Sequence, residues 1–598
     1  MKTGRLISGY FSERRRRTFF KTIMQMTVTT NSAMDAIDIC KDWNSINWGA
    51  CLLEVKKLQL RIARWEKLGN HRKVKALQWL LTHSFSAKCL AVKRVSQNKG
   101  HRTAGVDGFL LNSPADKWKM VHSLKRRGYK ALPLKRVYIL KSDGKSSRPL
   151  GLPCMKDRAM QALHTMALLP ISEVRADWDS YGFRPERGTA DAIESLFCAL
   201  AKKNSSTWIL EGDIKSCFDL ISHQWILENI PMDKKVLSQW LQSGFMEKGK
   251  LFPTTHGTPQ GGLASPTLAN MVLDGIEDLL GRKFGSFKLN GNNNYKQRKN
   301  PILFVRYADD FVVIGRTKEV LENEVKPMIQ SFLEERGLEL SLTKTHTTSI
   351  YDGFDFLGQN IRKYKMRNGE QKLLIKPSKT SIKTFLANIR KIIHSAKSMS
   401  QRELIQILNP KIRGWTYYHR HVVSSEIFSA IDKEIWKALW RWCVRRHPKK
   451  GKRWIKSKYF HRAEQRNWIF RSIVKEQGVT VIETISSSSS VSIIRHIKIR
   501  RQAIPFDPMY EMYFQQRTSE KWKNNKSGRV KVMALWKRQK GICPICLEKV
   551  TKLSNWVVYW HKNKLEGGSD NINNLSLLHP SCSRAKSPKF VVPHRLSQ

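Results

Sequence analysis

Residues 301–316, PILFVRYADDFVVIGR, set two adjacent carboxylates, Asp309 and Asp310, between two short apolar runs. Runs of this length read as buried strands, and neighbouring acids have no place in a core. The segment is therefore expected to fold as a tight β-hairpin with both carboxylates at its tip. Upstream, WILEGDIKSCFDLI (208–221) ends another apolar run at Asp213, where an adjoining strand would carry a third carboxylate to the same place. Three clustered acids suit phosphoryl transfer, because two Mg²⁺ ions roughly 3.5–4 Å apart must stabilise both the attacking and the leaving oxygen. Hard oxygen donors suit that ion. One Asp pair alone reads equally as a solvated turn, so the wider chain decides the matter.

The chain has 598 residues, too many for one core, and 107 Lys plus Arg against 49 Asp plus Glu give a net charge of +58. Solubility alone requires far less charge. Neutralising phosphates releases condensed counterions, so the excess points to long RNA or DNA rather than to a membrane. No apolar run approaches the length of a membrane span, and no membrane partner is expected. Seven of the ten cysteines, Cys40 to Cys443, lack pairing-like spacing, which fits a reducing compartment. Residues 1–30 are basic, with Arg14 to Arg17 in a row, and read equally as a transit peptide or an RNA-binding arm.

Apolar residues at helical spacing from Asn47 to about Val95 predict a basic helical N-terminal region. YILKSDGKSSRPLGLP (138–153) predicts a hairpin with a Ser-Asp-Gly turn. Ile382, Phe385, Ile389, Ile392 and Ile393, and later Ile427, Phe428, Ile431, Ile435 and Leu439, predict a separate helical domain. It ends in RRHPKKGKRWIKSKYFHR (445–462), which carries nine basic residues and no acid. From this run Arg445, Arg446, Lys449, Lys450, Lys452 and Arg453 are expected RNA contacts, since purely positive charge serves phosphate binding. Trp415, Tyr417 and Tyr418 read either as helix-packing residues or as partners for unpaired bases. Ser486 to Ser490 read as a linker-like break. In the tail, Cys543 and Cys546, then His579 and Cys582, form two pairs at ligand spacing, as one structural Zn²⁺ requires.

The blocks RPLGLP (148–153), GFRPERGTADAI (182–193), GDIKSCFD (212–219), HGTPQGGLASPTLAN (256–270), RYADD (306–310) and GFDFLG (353–358) follow one another in the order found in group II intron-encoded reverse transcriptases, which the chain resembles. The resemblance implies an α+β multidomain protein. It would have right-hand polymerase fingers and palm with an antiparallel palm sheet, a helical thumb and maturase domain, and a small zinc-binding ββα-type tail. It implies that Asp213, Asp309 and Asp310 are catalytic and hold two Mg²⁺, with Asp310 the less direct ligand. Phe218 would exclude a ribose 2′-hydroxyl, favouring dNTPs, and Gln260 would line the nucleotide pocket with Gly261 and Gly262 allowing close approach. Lys141 and Arg148, and more weakly Lys344, would bind the triphosphate.

IRGWTYYHRHVVSSEIFSAIDKEIWKALWRW (412–442) and the basic run after it resemble the maturase domain of the same family. That implies binding of intron RNA to promote splicing, and a part in intron mobility with target DNA as a further partner. A homodimer is left open. LWKRQKGICPIC and EGGSDNINNLSLLHPSC resemble the HNH endonuclease domain, but with departures. The family's His-His pair falls at Tyr559 and Trp560, and Ser583 stands where a histidine usually follows Cys582. His561 is one position out of register, so strand cleavage is doubtful and a DNA-binding role is expected instead. The implied layout is a basic extension over 1–40, an N-terminal helical polymerase region over 41–122, and fingers and palm over 123–362. The maturase region follows over 363–475, then a linker and DNA-binding region over 476–535 and the HNH-like domain over 536–598. A bacterial nucleoprotein in the cytoplasm is the expected setting, with an organelle as the alternative. The competing readings are an RNA-binding splicing factor with a relic polymerase fold, and a reverse transcriptase of another lineage, such as a retron or defence-associated enzyme. Intact polymerase residues oppose the first, and the maturase-like and HNH-like regions oppose the second.

Overall fold

The computed structural model describes residues 42–140, 146–285, 302–463, 466–476, 479–524, 526–550, 556–562 and 568–586. Lys141 and the Ser-Asp-Gly turn lie outside them. The described residues form two compact units, one drawn from the stretches up to 174, 227–265 and from 504 on, the other from 175–226 and 266–503.

The second unit is built on four antiparallel strands: β1 (Trp208–Asp213), β2 (Leu303–Tyr307), β3 (Asp310–Gly315) and β4 (His346–Ser349), in the order β2-β3-β1-β4. Phe311, Val312, Val313 and Ile314 are all buried, because the central strand is covered on both faces and has no polar side to offer. Gly212 pairs with Phe311, and a Cβ there would lie 2.1 Å from the Phe311 ring. The glycine lets the ring cross the sheet and keeps β1 straight up to Asp213.

Helices Lys379–Ser395, Gln401–His419 and Ser425–Arg446 follow, each apolar on one side, as the helical spacing predicts. Ser400 and Glu403 form a capping box that starts the second. Their core includes Ile389, Leu404, Leu408, Ile435 and Trp442, whose indole Nε1 donates to Ala396 O at 2.6 Å. A three-stranded sheet, Phe460–Ala463, Arg466–Glu476 and Val479–Thr484, adds Phe460 and Phe470 to that core. Reading the sequence did not anticipate it.

The serine run is not a free linker. Ser487 Oγ, Ser488 N and Ser489 N all donate to the Asp432 carboxylate at 2.7–2.9 Å. The chain then returns along segment 179–191, where His496 Nε2 and Ile499 N each lie 2.8 Å from Asp191 Oδ1 and Arg501 pairs with Asp179. Serines suit this use as well as they suit a linker, since small hydroxyls hydrogen-bond locally without needing a core.

In the first unit, helices Trp48–Lys67, His71–His83 and Phe85–Gln97 carry the predicted N-terminal helical region. Strands Leu134–Leu140 and Ser147–Leu152 form the predicted hairpin. The tail contributes an antiparallel pair, β5 (Val557–Trp560) and β6 (Leu575–Leu578), followed by helix Pro580–Lys586. Among the described residues no helix is long and apolar enough to cross a membrane.

Candidate active site and metal centre

The β2–β3 turn has the form expected of it. Tyr307 pairs with Asp310 across two residues, Ala308 takes a left-handed φ of 59°, and Asp309 stands at the tip. Asp310 is also the register partner of Asp213, so strand pairing alone brings the third carboxylate alongside. Lys344 Nζ reaches Asp213 Oδ2 at 2.9 Å. Phe218, on the short helix Cys217–Leu220, meets Phe183 edge to face with ring centres 6.2 Å apart. Phe183, like Ala308 and Ser216, has a positive φ, 58°, which a bulky residue adopts only when its surroundings hold it there.

Asp310 faces solvent at the strand end but is closely ringed by protein. Burial, then the charges of Asp309 and Asp213 and a hydrogen bond with Asp213, push its carboxyl up to about 6. Cys217 beneath the turn is pushed up to about 12, first by burial and then by Asp309, and so remains a thiol. The neighbouring carboxylates of Asp213, Asp309 and Asp310 offer hard oxygen donors of the kind that suit a divalent cation.

Arg148 and Gln260 belong to the first unit. Gln260 O accepts from Gly151 N at 2.9 Å, so the TPQGG loop lies against the strand that carries Arg148. A Cβ on Gly261, at φ +114°, would lie 3.1 Å from Gly151 O. Of the basic run, Lys449, Lys450, Lys452 and Arg453 are exposed. Arg445 is exposed too and donates to the main-chain oxygens of Ile393 and His394, while half-buried Arg446 donates to that of Met399. Trp415 packs on Phe385 at 4.8 Å and is a helix-packing residue, whereas Tyr417 is exposed and Tyr418 donates from its hydroxyl to Leu357 O.

In the tail the donor atoms of Cys543, Cys546, His579 and Cys582 all lie within 4.8 Å of one another. Burial raises the Cys543 thiol, but amide hydrogens of Cys546, His579 and Ile545 outweigh it and bring the group down to about 6. Burial and the neighbouring thiols push Cys582 up to about 11. A Cys₃His set of this kind can hold zinc. Trp560 is fully buried in the adjoining core and its Nε1 donates to Asp570 Oδ1 at 2.9 Å. His561 lies on the opposite face with Tyr559, its Nε2 2.7 Å from Ser576 Oγ. The Asn574 carboxamide is used up in tying Lys562 and Ser569 together.

An acidic trio on an antiparallel sheet defines a polymerase-type nucleotidyltransferase, and comparison with known proteins agrees. Residues 139–361 match the model of reverse transcriptase (RNA-dependent DNA polymerase), residues 43–124 that of the N-terminal domain of reverse transcriptase, and residues 382–460 that of the group II intron maturase-specific domain. Protein YkfC of Escherichia coli is 30% identical over 373 residues, covering 57% of this chain and 96% of the relative. The group II intron-encoded protein LtrA of Lactococcus lactis is 29% identical over 414 residues, covering 55% and 68%. A 91 kDa protein in the cob intron of Schizosaccharomyces pombe is 26% identical over 403 residues, covering 56% and 49%. The chain belongs to the group II intron reverse transcriptases that carry a maturase domain. Its polymerase domain implies a divalent metal, and its maturase domain implies binding of intron RNA.

The raised Asp310 carboxyl sets the sign of a stability test. The folded protein holds this proton more tightly than the unfolded chain does, so the charge strain is absent below pH 4 and full above about pH 6. Asp310→Asn should therefore raise the melting temperature of the metal-free protein at pH 7. An unchanged metal-free melting temperature would show that Asp310 is not strained.

Proposed function

We propose that the acidic trio catalyses primer extension on RNA templates, with dNTPs as substrates and Asp213 and Asp309 as direct ligands of two Mg²⁺. The carrying observation is the pairing of Asp213 with Asp310 across β1 and β3. Metal bound there would lower the cost of forming the primer 3′-oxyanion and of releasing pyrophosphate. Asp310 completes the charge, and Lys344 balances Asp213 when the trio would otherwise repel itself. Phe218, braced by Phe183, presents a ring to the sugar and disfavours a 2′-hydroxyl. Gln260 and its glycines line the nucleotide pocket, while Arg148, Lys141 and Lys344 bind the triphosphate.

In this reading the β1–β4 sheet is the palm, the hairpin near Leu134–Leu152 belongs to the fingers, and the three helices form the thumb and maturase domain. With it go the boundaries proposed from the sequence: extension 1–40, helical polymerase region 41–122, fingers and palm 123–362, maturase 363–475, linker and DNA-binding region 476–535 and HNH-like domain 536–598, although strand Val479–Thr484 pairs back across the 475/476 boundary. Exposed Lys449, Lys450, Lys452 and Arg453 contact intron RNA, and Arg445 and Arg446 chiefly shape the helix ends from which they project. The protein stabilises the folded intron by binding it selectively, while the RNA performs the splicing chemistry. It acts within a nucleoprotein, in a bacterium or an organelle, on target DNA that the zinc-stabilised tail binds. The buried Trp560 and the engaged His561 and Asn574 support a tail that binds without cutting.

In primer extension on RNA with Mg²⁺ and dNTPs, Asp309→Ala with Asp310→Ala should reduce synthesis by at least about 10³-fold, the scale of losing transition-state charge stabilisation, at near-unchanged RNA affinity. Phe218→Ala should extend with rNTPs where the parent does not. Synthesis surviving the double substitution would refute the assignment. The parent protein should also leave DNA containing its intron target uncut by the tail under the same conditions, and second-strand cleavage lost in His561→Ala would overturn the binding-only tail.

A further inference from the structure

The acid turn touches the rest of its unit through a small buried polar cluster that the polymerase reading above does not use. Arg306, in β2, has a fully buried side chain. Its Nη1 donates to Ala308 O at 3.3 Å, the carbonyl at the left-handed corner of the turn, and to Asn270 Oδ1 at 3.2 Å. Its Nη2 reaches Asp274 Oδ1 at 2.5 Å. Asn270, in helix Ser265–Leu273, is buried too, and its Nδ2 donates to Gly182 O at 2.8 Å. Gly182 in turn lies against the turn itself, for a Cβ there would sit 2.3 Å from Ala308 N. The next residue is Phe183, whose ring braces Phe218.

A carboxamide has one acceptor end and one donor end, and here each is committed to a different element. Its oxygen holds the guanidinium that ties down the acid turn, and its nitrogen holds the backbone that carries Phe183. We infer that Asn270 is a positioning residue that sets the spacing between the catalytic acid turn and the Phe183–Phe218 pair, touching neither substrate nor metal. This rests on the acid trio being the polymerase site. Two elements that act on one reacting nucleotide must be held to within a fraction of an ångström for orientation to help the reaction. A carboxamide buried between them provides that without adding charge beside Arg306 and Asp274.

Asn270→Asp keeps size and the acceptor toward Arg306 but replaces the donor to Gly182 O with a second acceptor, which opposes that carbonyl. Gly182→Ala drives a Cβ against the Ala308 backbone, so it alters the spacing between the same two elements directly and leaves Asn270 intact. Both should be measured in the full chain by single-nucleotide extension, with template–primer affinity and melting temperature alongside. Each variant is expected to keep template–primer affinity within about twofold while kcat falls at least tenfold, more than KM for dNTP rises, and preference for dNTP over rNTP weakens. A folded Asn270→Asp protein with kcat and sugar preference within twofold of the parent would overturn the inference. So would a loss in which affinity, melting temperature and kcat fall together in both variants, since that marks a general folding role. If the parent itself extends no primer, the polymerase assignment fails rather than this positioning role.

Discussion

Mutual repulsion among Asp213, Asp309 and Asp310 is the constraint around which the second unit is arranged. Two like charges about 4 Å apart at an effective dielectric of 20 oppose each other by about 4 kcal/mol, so nothing in the carboxylates themselves favours their meeting. Strand pairing forces it. The β1–β3 register puts Asp213 beside Asp310, the Ala308 corner turns Asp309 to the tip, and Lys344 offsets part of the charge. The strain is visible as the raised Asp310 carboxyl. Clustered oxygen donors of this kind suit a divalent cation, and the sheet below them holds them together.

The same opposition between charge and burial recurs deeper in the unit. Asp179 is fully buried, yet it accepts from Tyr181 Oη at 2.6 Å and Ser195 Oγ at 3.1 Å and pairs with Arg501. Asp274, whose side chain is largely covered, pairs with Arg306, and burial together with Asp177 raises its carboxyl despite that arginine. Isolated pairs of this kind add little net stability, but removing one member is costly because the other stays buried and uncompensated. Such a network favours one arrangement of segments 177–187, 270–277 and 501–503 over its alternatives. It brings the chain that leaves the helical region back to the segment that flanks the acid turn.

Much of this was legible in the residues, where local pattern and chemistry coincide. The acid hairpin, the 382–446 helices and the Cys₃His cluster each depend on periodicity or spacing within a short stretch, and each forms as expected. What escaped depends on distant partners. Nothing around Asn270 announces that its two ends serve Arg306 and Gly182, which lie far away in sequence. Ser486 to Ser490 have linker composition, and residues distant in sequence, Asp432, Asn409, Arg413 and Thr416, turn them into a docked loop. Nothing near Arg445 and Arg446 in sequence announces their main-chain partners, Ile393 O and His394 O for the first and Met399 O for the second. The 460–484 sheet was hidden because its strands follow a basic run whose charge dominates the local composition. His561 illustrates the period-2 rule: it shares a face with Tyr559, while the position between them, Trp560, turns into the core.

The central claim is that Asp213, Asp309 and Asp310 form one two-metal site. Anomalous diffraction at the manganese edge, from crystals of the protein with an RNA template, a DNA primer and a non-hydrolysable dNTP analogue in Mn²⁺, addresses it directly. Two peaks roughly 3.5–4 Å apart, both beside Asp213 and Asp309, are predicted. A bound nucleotide with no metal peak at the three carboxylates would contradict the account.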